Sequence, residues 1–199
     1  MIGEAIAHLN LEPSLATGEL FYFSQRFQQD YLPYAVELGR LVVNQSAKQR
    51  HLGLFVLWCG LVALMRQYPH SRYFFGKVTI FPTYHPAALQ YLLQFLQFYY
   101  PDSNQLLYPK PELHISGADL PSSFTPLTGT NYDRDYQQLR QQLAALGESI
   151  PTTLRPYLKL TQCMKHFGAA FNADFGGVIE IAILVPIDEI RPTALKHYV

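Results

Sequence analysis

Two charged residues, Glu37 and Arg40, stand inside the otherwise apolar run YAVELGRLVVN. A carboxylate can take a proton from a nucleophile, and a guanidinium can hold a second carboxylate by two parallel hydrogen bonds. Tyr34–Asn44 reads as a strand, rich in Val and Leu. Side chains alternate along a strand, so residues three apart face opposite sides. A β-bulge at Gly39 would return both charges to one face and splay the strand from its neighbour. The cleft so formed would carry free backbone N–H and C=O groups, suited to an extended, amide-bearing ligand. A structural Glu–Arg ion pair is the plain alternative.

A polar, basic loop follows, with Lys48, Gln49, Arg50 and His51, and it leads into a helical pattern over Leu52–Tyr68. Helix N-termini present unpaired N–H groups and the positive end of the dipole. Basic side chains beside such an end favour a diphosphate or the phosphate of phosphopantetheine. A merely solvated loop is the alternative. Seven histidines occur without HExxH or HxxxH spacing, so no metal site is expected. Cys163, near Lys165 and His166, reads as a packing residue rather than a nucleophile. Asp133 and Asp135 flank a helix start and need only a dipole explanation.

The elements that must position these groups follow from the hydrophobic pattern. Aromatic-rich Gly18–Phe27 reads as a strand, and so does Arg72–Phe81. Pro86 suits the first position of a helix whose glutamines share one face. The stretch of about 101–156 is irregular and reads as an insertion. Within it Tyr132–Gly147 is helical, with Gly147 as its C-cap. Tyr157–Met164 reads as a further strand. Gly177–Ile187 is the clearest strand, with Ile179, Ile181, Ile183 and Val185 on one face and Glu180 on the other. These elements predict a single domain over 1–199 of the α+β class, with helices on a central mixed sheet.

The 199 residues suffice for one core, with 49% hydrophobic and 15% charged residues. Equal numbers of Lys+Arg and Asp+Glu, 15 each, leave no net charge and argue against a nucleic-acid partner. Two distant cysteines suit a reducing compartment. The N-terminus lacks the pattern of a signal peptide, and the longest apolar run is short for a membrane span. The expectation is a cytoplasmic protein.

In order along the chain, VELGRLVV, LWCGLVALM, RYFFGKVTIFPTYHPAA, IPTTLRPYLKL and FGAAFNADFGGVIEIAILVPIDEI together resemble the GNAT acyltransferase superfamily. The likeness is nearer to its hemolysin-like branch, with the ornithine- and glycine-lipid N-acyltransferases, and extends to the N-acyl amino acid and acyl-homoserine-lactone synthases. It implies a GNAT-like central mixed sheet with helices on both faces, here without the usual N-terminal strand and helices. It implies transfer of a fatty acyl group from acyl-CoA or acyl carrier protein to a small amino-acid-like amine, with no permanently bound cofactor.

The resemblance makes Glu37 the general base and Tyr84, with His85 as the weaker candidate, the group that protonates the leaving thiolate. Arg40 would orient Glu37 or bind an acceptor carboxylate. The N–H groups of Leu41, Val42 and Val43 would polarise the thioester oxygen. Lys48, Gln49, Arg50, Leu52 and Gly53 would hold the phosphate, and Glu180 would face the cleft. The loop KQRHLG keeps only Gly53 of the usual glycine-rich pattern, which suits a donor on acyl carrier protein better than coenzyme A. Contact with the inner membrane surface and a homodimer are further expectations. The alternative function is a noncatalytic acyl- or carrier-protein-binding module on the same scaffold.

Overall fold

The computed structural model describes residues 15–39, 53–115, 120–122 and 124–191. Its strands are β1 (Phe21–Phe23), β2 (Ala35–Leu38), β3 (Tyr73–Ile80), β4 (Leu107–Pro109), β5 (Lys165–Asn172) and β6 (Val178–Pro186). Its α-helices are α1 (Gly53–Gln67), α2 (Pro86–Tyr99), α3 (Tyr132–Ala145) and α4 (Arg155–Leu160). The fold is α+β, as expected, around a four-stranded mixed sheet of order β2-β3-β6-β5. β2 and β3 are parallel; β3 with β6 and β6 with β5 are antiparallel.

Alternation along β3 and β6 sorts the core into two layers. Phe74, Val78, Ile80, Ile181, Ile183 and Val185 face one side, where α2 and α3 supply Leu89, Leu92, Phe95, Leu96, Leu139 and Leu143. Leu61 and Leu64 of α1 and Leu158 of α4 join the same layer. Phe75, Ala182 and Leu184 face the other side, against Phe21 and Leu107 of the small antiparallel pair β1–β4 and Phe27. Short 3₁₀ and π turns, Ala16–Glu19 and Phe27–Tyr31, cover that second face. Among the described residues, helical segments therefore lie on both faces, with the four α-helices gathered on one.

The longer helices begin and end where their caps demand. The His85 ring nitrogen Nδ1 accepts from the Ala87 amide ahead of Pro86. The Asn131 side chain accepts from the Arg134 amide at the start of α3. After α3, Gly147 donates back to the Ala144 carbonyl, as its C-cap role requires. Leu92, Phe95 and Leu96 of α2 are fully buried, each stabilising the fold by about 1.5–3 kcal/mol.

Two strand expectations are corrected, and one further strand was not foreseen. Gly18–Phe27 forms only the three-residue β1, because Ser24 turns the chain by accepting from the Phe27 amide. Tyr157–Met164 is not a strand; Arg155–Leu160 is helical, with Pro156 in its first turn. β5 lies instead at Lys165–Asn172, in a segment too rich in Gly and Ala to read as a strand. Its small residues are needed there. A Cβ on Gly168, which sits at φ +87°, would lie 3.1 Å from Pro109 Cγ, and the β5–β6 register shifts between His166 and Ala169 at that point.

Candidate functional site

Among the described residues the parallel ladder pairs Ala35–Leu38 with Tyr73–Gly76 and stops there. Beyond Gly76, Lys77–Ile80 pair only with β6 among the described residues. The strands approach very closely at this last rung. A Cβ on residue 76 would fall 2.2 Å from the Leu38 carbonyl oxygen, so only glycine fits. No bulge interrupts Ala35–Leu38, and Gly39 lies outside the ladder. Among the described residues the opening begins where this pairing ends; Arg40, where pairing past a bulge at Gly39 would resume, lies outside them. Leu38, Gly76, Lys77, Val78 and Tyr157 line a narrow recess at this point.

Strand alternation brings one set of polar side chains to the face away from the α-helices. Glu37 is level with Phe75, and Thr79 with Glu180, while Lys77 lies between. The Glu37 carboxylate accepts the Ala16 amide at 3.1 Å and the Thr17 amide at 2.7 Å, capping the turn Ala16–Glu19. The Lys77 ammonium donates to the Ala16 carbonyl at 2.6 Å and lies 2.9 Å from Glu180 Oε2. Glu180 also accepts from Asn172 Nδ2 at 2.7 Å and from the Thr79 hydroxyl at 3.4 Å. In the same turn the buried Thr17 hydroxyl has no partner among the described residues.

Glu180 thus lies on the face the sequence predicted, within a buried ion pair tied to the turn that Glu37 caps. Tyr84 is placed elsewhere. It packs against the same α-helical-side core layer as Tyr157 but does not line the recess, and its hydroxyl donates to the Ser149 carbonyl at 3.0 Å. Burial, helped by the charge of Glu148, pushes its phenol well above the usual range. His85 caps α2 and its amide donates to Glu148 at 2.9 Å. Gly53 is the first residue of α1. Arg40, Leu41, Val42, Val43, Lys48, Gln49, Arg50 and Leu52 lie outside the described residues.

Two groups at the opening were missed in the sequence. Lys77 is the single charge in the strand YFFGKVTI, a signal in itself, since a lysine inside an apolar strand needs a buried acceptor. Tyr157 comes from a segment assigned to the wrong element. Burial pushes its phenol up to about 12, so it is a proton carrier at neutral pH.

Other polar features lie away from the opening. Asp135 is fully buried and accepts from the Tyr99 hydroxyl, the amides of Thr128 and Gly129, and the Thr128 hydroxyl. It clamps the loop before α3, a larger role than the dipole effect expected of it. At the end of the sheet where β3 begins, Tyr31, Tyr73, Tyr99, Tyr100, Cys163 and Glu189 help line an open groove. Cys163 is exposed there rather than packed. No group of His, Cys, Asp and Glu among the described residues is arranged to hold a metal. No helix among them is long and apolar enough to cross a membrane.

The chain is 38% identical over 184 residues to a glycine N(alpha)-acyltransferase of Bacteroides thetaiotaomicron, a match covering 89% of this chain and 54% of that protein. It is 38% identical over 185 residues to a glycine N(alpha)-acyltransferase of Phocaeicola vulgatus, covering 90% of this chain and 56% of that protein. The chain thus spans about half the length of these curated relatives. No family model matches it. No solved structure matches it.

Proposed function

We propose that this chain carries the acyl-transfer site of an N-acyltransferase that moves a fatty acyl group from a thioester to the amine of a small amino acid such as glycine. The observation that carries the reading is the parallel β2–β3 pair whose ladder, among the described residues, ends at Leu38 and Gly76. Beyond it, half of β3 is open on one side among the described residues, a backbone edge that suits the amides of a pantetheine arm. The similarity to two glycine N(alpha)-acyltransferases supports the amine acceptor.

In the reaction the amine nitrogen attacks the thioester carbonyl. The new N–C bond forms, the C–S bond breaks, the amine gives up a proton and the leaving thiolate gains one. Glu37 stands one residue before the opening and is the base of this proposal. Its two amide bonds fix the carboxylate while each oxygen keeps acceptor capacity. Tyr157 lines the recess from the α-helical face, opposite the face that carries Glu37, and would donate to the thiolate from that side; Tyr84 is the candidate named from the sequence. Arg40 would hold the acceptor's carboxylate, and the basic loop before α1 the donor's phosphate. Acyl carrier protein or coenzyme A would bring the acyl group, and the product would be a lipoamino acid.

Both Glu37 oxygens are already bonded within the protein, which favours the second reading, a noncatalytic acyl- or carrier-binding module. Release of free thiol from an acyl thioester separates the two. The enzyme releases thiol only when glycine or a similar amine is present, and Glu37→Gln lowers the rate by about 10²–10⁴-fold. Thioester binding without amine-dependent thiol release supports the module.

A further inference from the structure

We propose that Lys77 is a positioning residue for Glu37, an inference that rests on the acyltransfer reading above. Lys77 is the first residue of β3 past the last rung with β2, so its stem rises where the opening begins. Its side chain is only 10% exposed, and that of its ion-pair partner Glu180 only 7%. A buried ion pair seldom stabilises a fold better than apolar side chains of the same volume, and its best-attested use is to fix register. Here the geometry shows what is fixed. The ammonium holds the carbonyl of Ala16, while the amide of the same residue and that of Thr17 hold the Glu37 carboxylate. Lys77 therefore acts on Glu37 through one peptide turn rather than by touching it.

The distribution of charge makes this arrangement useful. The ammonium is matched by Glu180, which Asn172 and Thr79 orient in turn. Glu37 is left facing two N–H dipoles with no cation of its own among the described residues. A base that must receive an ammonium and take its proton would be quenched by a direct ion pair with lysine. Routing the lysine through the Ala16 carbonyl orients the carboxylate and leaves its charge available to the acceptor amine.

The test uses the whole chain with Lys77→Met/Glu180→Gln, a double change that removes both buried charges together, and Lys77→Gln, which keeps a hydrogen-bond donor. Without any substrate, the amide hydrogens of Ala16 and Thr17 should exchange about tenfold faster or more in the double variant, and by a smaller factor in Lys77→Gln. With thioester and glycine, kcat/KM for the amine should fall about 10- to 100-fold and its acid limb should move, while KM for the thioester holds. Lys77→Arg, which reaches both acceptors, should restore protection of the two amides. Unchanged exchange at Ala16 and Thr17 in a folded variant overturns the proposal, and Lys77→Gln serves if the double variant does not fold. Faster exchange in variants of a protein whose wild type transfers nothing supports the coupling and overturns the acyltransfer reading instead.

Discussion

Tyr157 and Tyr84 are both buried phenols, yet they meet different surroundings, and one substitution in each separates a chemical role from a structural one. Tyr157 lines the recess beside Gly76 and Lys77. Tyr157→Phe should slow thiol release by about tenfold or more, on the scale of a lost general acid. Tyr84 donates to the Ser149 carbonyl, linking the start of α2 to the end of α3. Tyr84→Phe should cost about 1 kcal/mol of stability, the usual net worth of such a bond, and leave turnover within a few-fold of wild type. Thermal unfolding and thiol release measured on both variants check the pair. The reverse pattern would return the donor role to Tyr84.

At the scale of elements, the join between β2 and β3 depends on one missing side chain. Gly76→Ala places a Cβ 2.2 Å from the Leu38 oxygen, and neither backbone can yield without breaking the last rung. The variant should lose about 1–3 kcal/mol or more, as overpacked sites do, measured by denaturant unfolding. Stability equal to wild type would contradict the close approach.

This element also shows what the sequence could convey. β3, β6, α1 and α2 were legible because their apolar residues repeat at strand or helix spacing over eight or more positions. β5 was not, because HFGAAFN is shaped by the need to pass under Pro109 rather than by strand propensity. Glu37 and Glu180 were legible as charges out of place in apolar strands. Their connection was not, since it runs through the backbone of Ala16, far away in sequence. A carbonyl leaves no mark in a list of side chains.

The whole molecule carries a pH dependence written into two buried groups. Burial lowers the pKa of His166 from 6.5 to about 4, and its ring nitrogens have no partner among the described residues. The unfolded chain therefore binds a proton that the folded chain refuses between those values. Stability from this site is complete above about pH 6.5 and is lost as pH falls toward 4, by on the order of 3 kcal/mol. His166→Phe should flatten that part of the curve, measured by denaturant unfolding at pH 7.5 and 5. An equal slope in both proteins would contradict it.

Asp135 acts lower on the scale. Burial raises its pKa, but the bonds from Tyr99, Gly129 and Thr128 outweigh this and hold it below the usual carboxylate value. Its contribution is present above about pH 4 and is lost as pH falls through the depressed value. Asp135→Asn should therefore be less stable at pH 7, with the difference shrinking below pH 4.

The parallel opening itself is tested most directly by titrating ¹⁵N-labelled protein with a non-hydrolysable acyl-pantetheine thioether and following the backbone amides. The account predicts shifts and slowed hydrogen exchange concentrated in Lys77–Ile80 and at Ala16 and Thr17. Binding that leaves these amides unmoved, or that gathers instead around Tyr73, Tyr100 and Cys163 at the other end of the sheet, would contradict it.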